Sequence, residues 1–123
     1  MGKNLIQQRR GKGSPTYRAP SHRFQGQVKF PTQSTNGVVV DLLHCAAHTA
    51  PLMEVKYLDG ESGLSFAPEG IKIGDEISLG EGSELKRGNV LPLGKIPEGT
   101  AIYNIELRPG DGGKLVRSSG TFA

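Results

Sequence analysis

The chain contains no tryptophan, a single cysteine and, over its first 30 residues, no aspartate or glutamate. Each absence removes a class of protein. One cysteine, Cys45, excludes an internal disulfide and a thiolate-only zinc site. No apolar run reaches the roughly 20 residues that a membrane-spanning helix needs. Residues 1–10 offer Leu5 and Ile6 as their only apolar pair, where a secretory signal would carry an apolar core of about 7–15 residues. A soluble, intracellular protein without a membrane partner is expected. Apolar residues supply only 35% of the chain, while 18 glycines and 8 prolines interrupt its 123 residues. That composition fits one small core with extensions better than a wholly globular chain.

Charge is what the chain does have, and it is unevenly placed. Residues 1–30 hold seven cations, Lys3, Arg9, Arg10, Lys12, Arg18, Arg23 and Lys29. Residues 31–107 carry eleven acids against five cations, and residues 108–123 carry three cations against one acid. An acidic-leaning middle between two basic ends points to a polyanionic partner met by the ends.

Residues 1–36 show neither helical nor strand periodicity of useful length, and Gly11, Gly13, Pro15, Pro20, Gly26 and Pro31 break them up. So little apolar surface cannot offset the entropy of ordering, and the arm is expected to be disordered alone. Tyr17, Phe24 and Phe30 alternate with Arg18, Arg23 and Lys29, a mixture suited to stacking on bases and pairing with phosphates. From Gly37 onward the texture changes to short strand-like runs. The run 38–43 has the apolar content of a strand buried on both faces. In 52–57, Met53, Val55 and Tyr57 face one way, with Glu54 and Lys56 opposite. Further runs lie around Leu64 and Phe66, Ile71 and Ile73, Ile77 and Leu79, 90–93, and 102–107. Five or six short strands without an amphipathic helix predict an all-β protein built on a small OB-like barrel.

Three clusters invite a catalytic reading. His44-Cys45-Ala46-Ala47-His48 places two histidines four apart beside a thiol, but it lies at a strand end with no carboxylate nearby in sequence to complete a metal site. A loop with incidental histidines is the better reading, and no metal or other cofactor is expected. Gly110-Asp111-Gly112-Gly113-Lys114 ends like a nucleotide-binding loop. Arg108 stands where such a loop needs glycine, and Leu115 where it needs Ser or Thr, so neither nucleotide hydrolysis nor a small-molecule substrate is supported. The same stretch suits an RNA backbone: its glycines allow close approach, its N–H groups form a potential anion nest, and Arg108, Lys114, Arg117, Ser118 and Ser119 add charge and hydroxyls. The acids Asp75, Glu76, Glu81 and Glu84 sit in glycine-rich turns and read as a solvated face rather than an acid–base pair.

Several motifs carry a resemblance. Gly2-Lys3-Asn4-Leu5-Ile6-Gln7-Gln8-Arg9-Arg10-Gly11-Lys12-Gly13-Ser14 opens the series, followed by Ala19-Pro20-Ser21-His22-Arg23-Phe24 and Ala67-Pro68-Glu69-Gly70-Ile71-Lys72-Ile73-Gly74-Asp75. Gly88-Asn89-Val90-Leu91-Pro92-Leu93-Gly94 and Tyr103-Asn104-Ile105-Glu106-Leu107-Arg108-Pro109-Gly110-Asp111-Gly112-Gly113-Lys114 come next. In this order they resemble the family of ribosomal large-subunit protein two, in its archaeal form. The resemblance implies an OB-like barrel followed by an SH3-like barrel, with basic extensions entering ribosomal RNA beside the peptidyl-transferase region. It implies a structural, non-enzymatic role in subunit assembly and association, with neighbouring ribosomal proteins as further partners. Family members usually read His-Asp-Pro-x-Arg where this chain has His44-Cys45-Ala46-Ala47-His48, so His48 carries no RNA-contact expectation.

The expected organisation is a basic RNA-binding extension over 1–36, an OB-like barrel over 37–107, and a glycine-rich basic linker over 108–123 that leads into the SH3-like unit. The expected RNA-contacting set is Lys3, Arg9, Arg10, Lys12, Arg18, His22, Arg23, Lys29, Arg108, Gly110, Gly112, Gly113, Lys114, Arg117 and Ser118. A free OB-type module that binds single strands or a protein outside the ribosome is the alternative; it would prefer unstructured nucleic acid.

Overall fold

The computed structural model describes residues 2–123. Its centre is a four-stranded antiparallel sheet in the order β3-β2-β1-β4, formed by β1 (Asn36–Leu43), β2 (Leu52–Tyr57), β3 (Ser62–Phe66) and β4 (Glu76–Ser78). The protein is all-β, as expected, and consistent with an OB-like barrel, although the sheet does not close. The β2–β3 hairpin turns at Asp59-Gly60, where the side chain of Asp59 accepts from the Glu61 N–H (3.1 Å) and Gly60 takes the left-handed conformation (φ 89°).

Alternation along β2 distributes the core. Met53, Val55 and Tyr57 join Val39, Ile77 and Leu79 in one buried cluster, with Phe30 and Ile71 packed against it. Leu52 points the opposite way, as strand geometry requires, into a second cluster with Val28, Cys45 and Phe66. Gly37 in β1 makes room for the first cluster: a Cβ there would lie 2.6 Å from Val55 and 2.9 Å from the Tyr57 ring. Tyr103 leans on the second cluster and donates its hydroxyl to the Phe66 carbonyl (3.3 Å), and burial pushes its phenol up to about 12.

Several sequence expectations need correction. The 38–43 run is not buried on both faces: Val39 is buried, whereas Val38, Val40 and Leu42 are exposed. A bulge between Val39 and Asp41 shifts the register there. Residues 71–73 are no strand, because they sit between two left-handed glycines, Gly70 (φ 80°) and Gly74 (φ 93°). Val90 contributes only a single bridge to Leu79, and a short 3-10 turn (Leu93–Lys95) follows Pro92. In 102–107, Asn104 adopts φ 53°, which breaks the extended run and leaves one bridge, Ile105 to Leu115.

The arm also holds more local structure than its periodicity indicates. α1 (Ile6–Gly11) is a six-residue helix that buries nothing, made of good helix formers and opened by the Leu5 N–H donating to the Gln8 side chain (3.1 Å). Two 3-10 turns follow, at Pro15–Tyr17 and Ser21–Arg23. Val28, only 3% exposed, forms a parallel bridge with Leu64 and belongs to the core.

Candidate nucleic-acid interface

The glycine-rich segment is a closed turn. The Ile105–Leu115 bridge ties its base, where the N–H groups of Lys114 and Leu115 both donate to the Ile105 carbonyl (2.9 Å each). Gly110, Gly112 and Gly113 take φ values of 84°, 88° and 92°, conformations that glycine adopts without strain. These angles turn successive N–H groups inward, as the sequence suggests, but two carboxylates of the chain itself occupy the concavity. Glu106 accepts from Gly110 (3.2 Å) through one oxygen and from Gly112 (3.0 Å) through the other. Asp111 accepts from Leu107 and Arg108 through Oδ2 and from Gly113 through Oδ1, each at 3.1 Å. Sequence reading singled out neither acid. The Asp-Gly-Gly spacing signals the short-range bond from Gly113, but nothing in one dimension signals the reach of Glu106.

Partial burial works against ionisation of Asp111, yet the N–H groups of Arg108, Gly113 and Leu107, with Lys114 nearby, outweigh it and hold the carboxyl below its ordinary range. Gly112 and Gly113 are buried: a Cβ on Gly112 would overlap the Lys29 stem, and one on Gly113 the Asn104 amide. Arg108, Lys114 and Ser118 are exposed around this turn.

Two contacts bring the basic ends together. The Lys29 stem lies over Gly112, and Arg117 donates from Nη2 to the Val28 carbonyl (3.1 Å). Arg117 also stands over the Phe66 ring at 4.9 Å, so this expected RNA contact is half-buried in an intramolecular clamp. Lys3, Arg9, Arg10, Lys12, Arg18, His22 and Arg23 are all exposed along the arm, and Arg10 sits 5.9 Å from the Tyr17 ring centroid. Among the described residues, the only Lys or Arg side chains in ion pairs are Lys86, with Glu84, and Lys95, with Glu81. Among the described residues the arm cations therefore have no acidic side chain within ion-pair distance, while Arg108 and Lys114 share the turn with Glu106 and Asp111.

His44, Cys45 and His48 form no metal centre; no group of three or more His, Cys, Asp or Glu among the described residues could hold an ion. Cys45 is fully buried. Its sulfur accepts from the Gln25 N–H (3.4 Å), the main cause of a lowered thiol pKa, and lies 3.4 Å from His48 Nδ1. His48 packs edge-on against Phe66, and desolvation, with the Arg117 charge behind it, lowers its pKa. Thr49 accepts from the Ser119 N–H (3.1 Å), which joins this loop to the C-terminal segment. The loop is a packing element linking three segments. No helix among the described residues is long and apolar enough to cross a membrane.

Fold and site together define a small β-domain that carries exposed, unpaired cations along an N-terminal arm and exposed Arg108 and Lys114 on a closed glycine turn. Comparison with known proteins gives that class a family. Residues 86–123 match the family model described as Ribosomal Proteins L2, C-terminal domain. The chain is 54% identical to large ribosomal subunit protein uL2 of Methanothermobacter thermautotrophicus, 52% to that of Methanosphaera stadtmanae and 49% to that of Methanococcus vannielii. Each similarity covers 100% of this chain and 54–55% of the relative. The chain belongs to the uL2 family in its archaeal form, and it spans about half the length of the curated relatives it matches.

Proposed function

We propose that this chain is a structural, non-enzymatic component of the large ribosomal subunit that binds folded ribosomal RNA through its basic arm and glycine turn. The observation that carries this reading is the set of exposed arm cations without an acidic partner, joined to the turn through Lys29 and Arg117. In this reading residues 1–36 are the RNA-binding extension, 37–107 a barrel that positions the two basic regions, and 108–123 the linker towards an SH3-like unit. The contacting set is the one expected from sequence, with Arg108 and Lys114 projecting from the turn and Gly112, Gly113 and Arg117 supporting it from within. Family membership supports a place in the cytoplasmic ribosome, near the peptidyl-transferase region and beside other ribosomal proteins, with roles in subunit assembly and association.

Counterion release makes the reading measurable. Each phosphate neutralised contributes about 0.7–0.9 to the slope of log affinity against log salt. Replacing Arg9, Arg10 and Lys12 by glutamine leaves the buried residues untouched and is expected to reduce that slope by roughly two to three on large-subunit RNA. An unchanged slope removes the arm from the interface. A preference of the full chain for unstructured strands over folded ribosomal RNA would favour the free single-strand module instead.

A further inference from the structure

The glycine turn looks, from its sequence, like a vacant cradle for phosphate; in the structure it is full. Five backbone N–H groups, those of Leu107, Arg108, Gly110, Gly112 and Gly113, donate to two carboxylates. The turn closes on a buried base: Asn104 is 3% exposed beneath Gly113, and the Lys29 stem covers Gly112. An incoming phosphate has no free N–H to collect from these five groups while the turn holds this form. What the turn offers outward is Arg108 and Lys114, which it places at its two ends.

We propose that Glu106 and Asp111 are positioning residues for RNA binding: built-in anions that close the glycine turn and fix where Arg108 and Lys114 meet the RNA backbone. This rests on the RNA-binding reading above. The physical argument is one of preorganisation. Three glycines in left-handed conformations lose much backbone freedom on ordering, and a turn left open would charge that cost to binding. Internal carboxylates meet the cost during folding, because each oxygen accepts from fixed donors in a charge-assisted bond. The geometry also explains why acids sit in a segment that faces a polyanion, where charge alone disfavours them.

That last point gives the test its sign. If charge alone matters, removing an acid from an RNA-facing turn tightens binding. If Glu106 positions the turn, Glu106→Gln loosens binding despite removing a negative charge, since one of the two oxygens that accept from Gly110 and Gly112 becomes an NH2 group that cannot accept. The parent chain, Glu106→Gln, Asp111→Asn and the exposed control Glu98→Gln are titrated with transcribed large-subunit RNA. The two turn variants are expected to bind about three- to tenfold more weakly, the worth of roughly one hydrogen bond, and Glu98→Gln as tightly as the parent or slightly tighter. Amide exchange, read without RNA, is expected to speed up at Gly110 and Gly112 in Glu106→Gln while Val55 in β2 keeps its protection, which separates loss of the turn from loss of the fold. Turn variants that bind as tightly as the parent or tighter overturn the positioning role alone. A parent chain that does not bind the RNA overturns the reading on which the proposal rests, and the proposal with it.

Discussion

Gly37 shows how much one missing side chain can decide. It sits in β1 opposite Tyr57, with Val55 and the Lys56 carbonyl crowded over its Cα. The backbone is ordinary there, so glycine is required by space and not by φ. Gly37→Ala is expected to cost about 1–3 kcal/mol, as overpacking does in a filled core, and urea denaturation measures it. A loss near zero would mean that Tyr57 can swing aside freely. Asn104 poses the complementary case, a buried amide whose two polar atoms meet no hydrogen-bond partner among the described residues, in a left-handed conformation that asparagine tolerates better than most residues. Its place under Gly113 was not legible from the sequence, where it reads as one more residue of an alternating run.

At the scale of elements, periodicity read well along β2 and its hairpin partner β3, where no bulge shifts the register, and less well in β1, where one does. Met53, Val55 and Tyr57 share a face as their spacing demands, and β3 follows its turn where expected. It failed where glycine or asparagine redirects the backbone between apolar residues, at 71–73 and 102–107, because alternation is blind to φ. The helix at Ile6–Gly11 was missed for the opposite reason: it has helix formers but no apolar stripe. In the glycine turn, charge placement was legible and the self-contained hydrogen bonding was not. That bonding has a pH signature. The Asp111 carboxyl is held below its ordinary value in the fold, so its stabilising contribution is complete above the unfolded value of 3.8 and fades as pH falls through the lower folded value. The Gly113 amide resonance, which reports the bond to Asp111, should therefore titrate with a midpoint below 3.8. A midpoint above that value would mean that burial outweighs the surrounding N–H groups.

For the whole molecule, Arg117 separates two roles that sequence reading merged. It was expected to meet RNA, yet here it joins the C-terminal segment to Val28 and to the Phe66 ring. Arg117→Lys keeps the charge but loses the planar group that does both, and is expected to destabilise the fold by about 1–3 kcal/mol while changing the salt slope of RNA binding little. A variant of full stability would mean that the Val28 and Phe66 contacts do not hold the C-terminal segment in place. The Arg117–Val28 bond also bears on the order in which the protein is made. Its partners lie 89 residues apart, and such a contact pays its loop-closure entropy before anything rewards it. During synthesis the sheet can pair as soon as β4 has emerged, while the arm stays untethered by this clamp until residue 117 follows. The nascent chain thus passes through a stage in which the root of the cationic arm is held by the sheet alone, through Val28 and Leu64, before the C-terminal segment locks it from the other side.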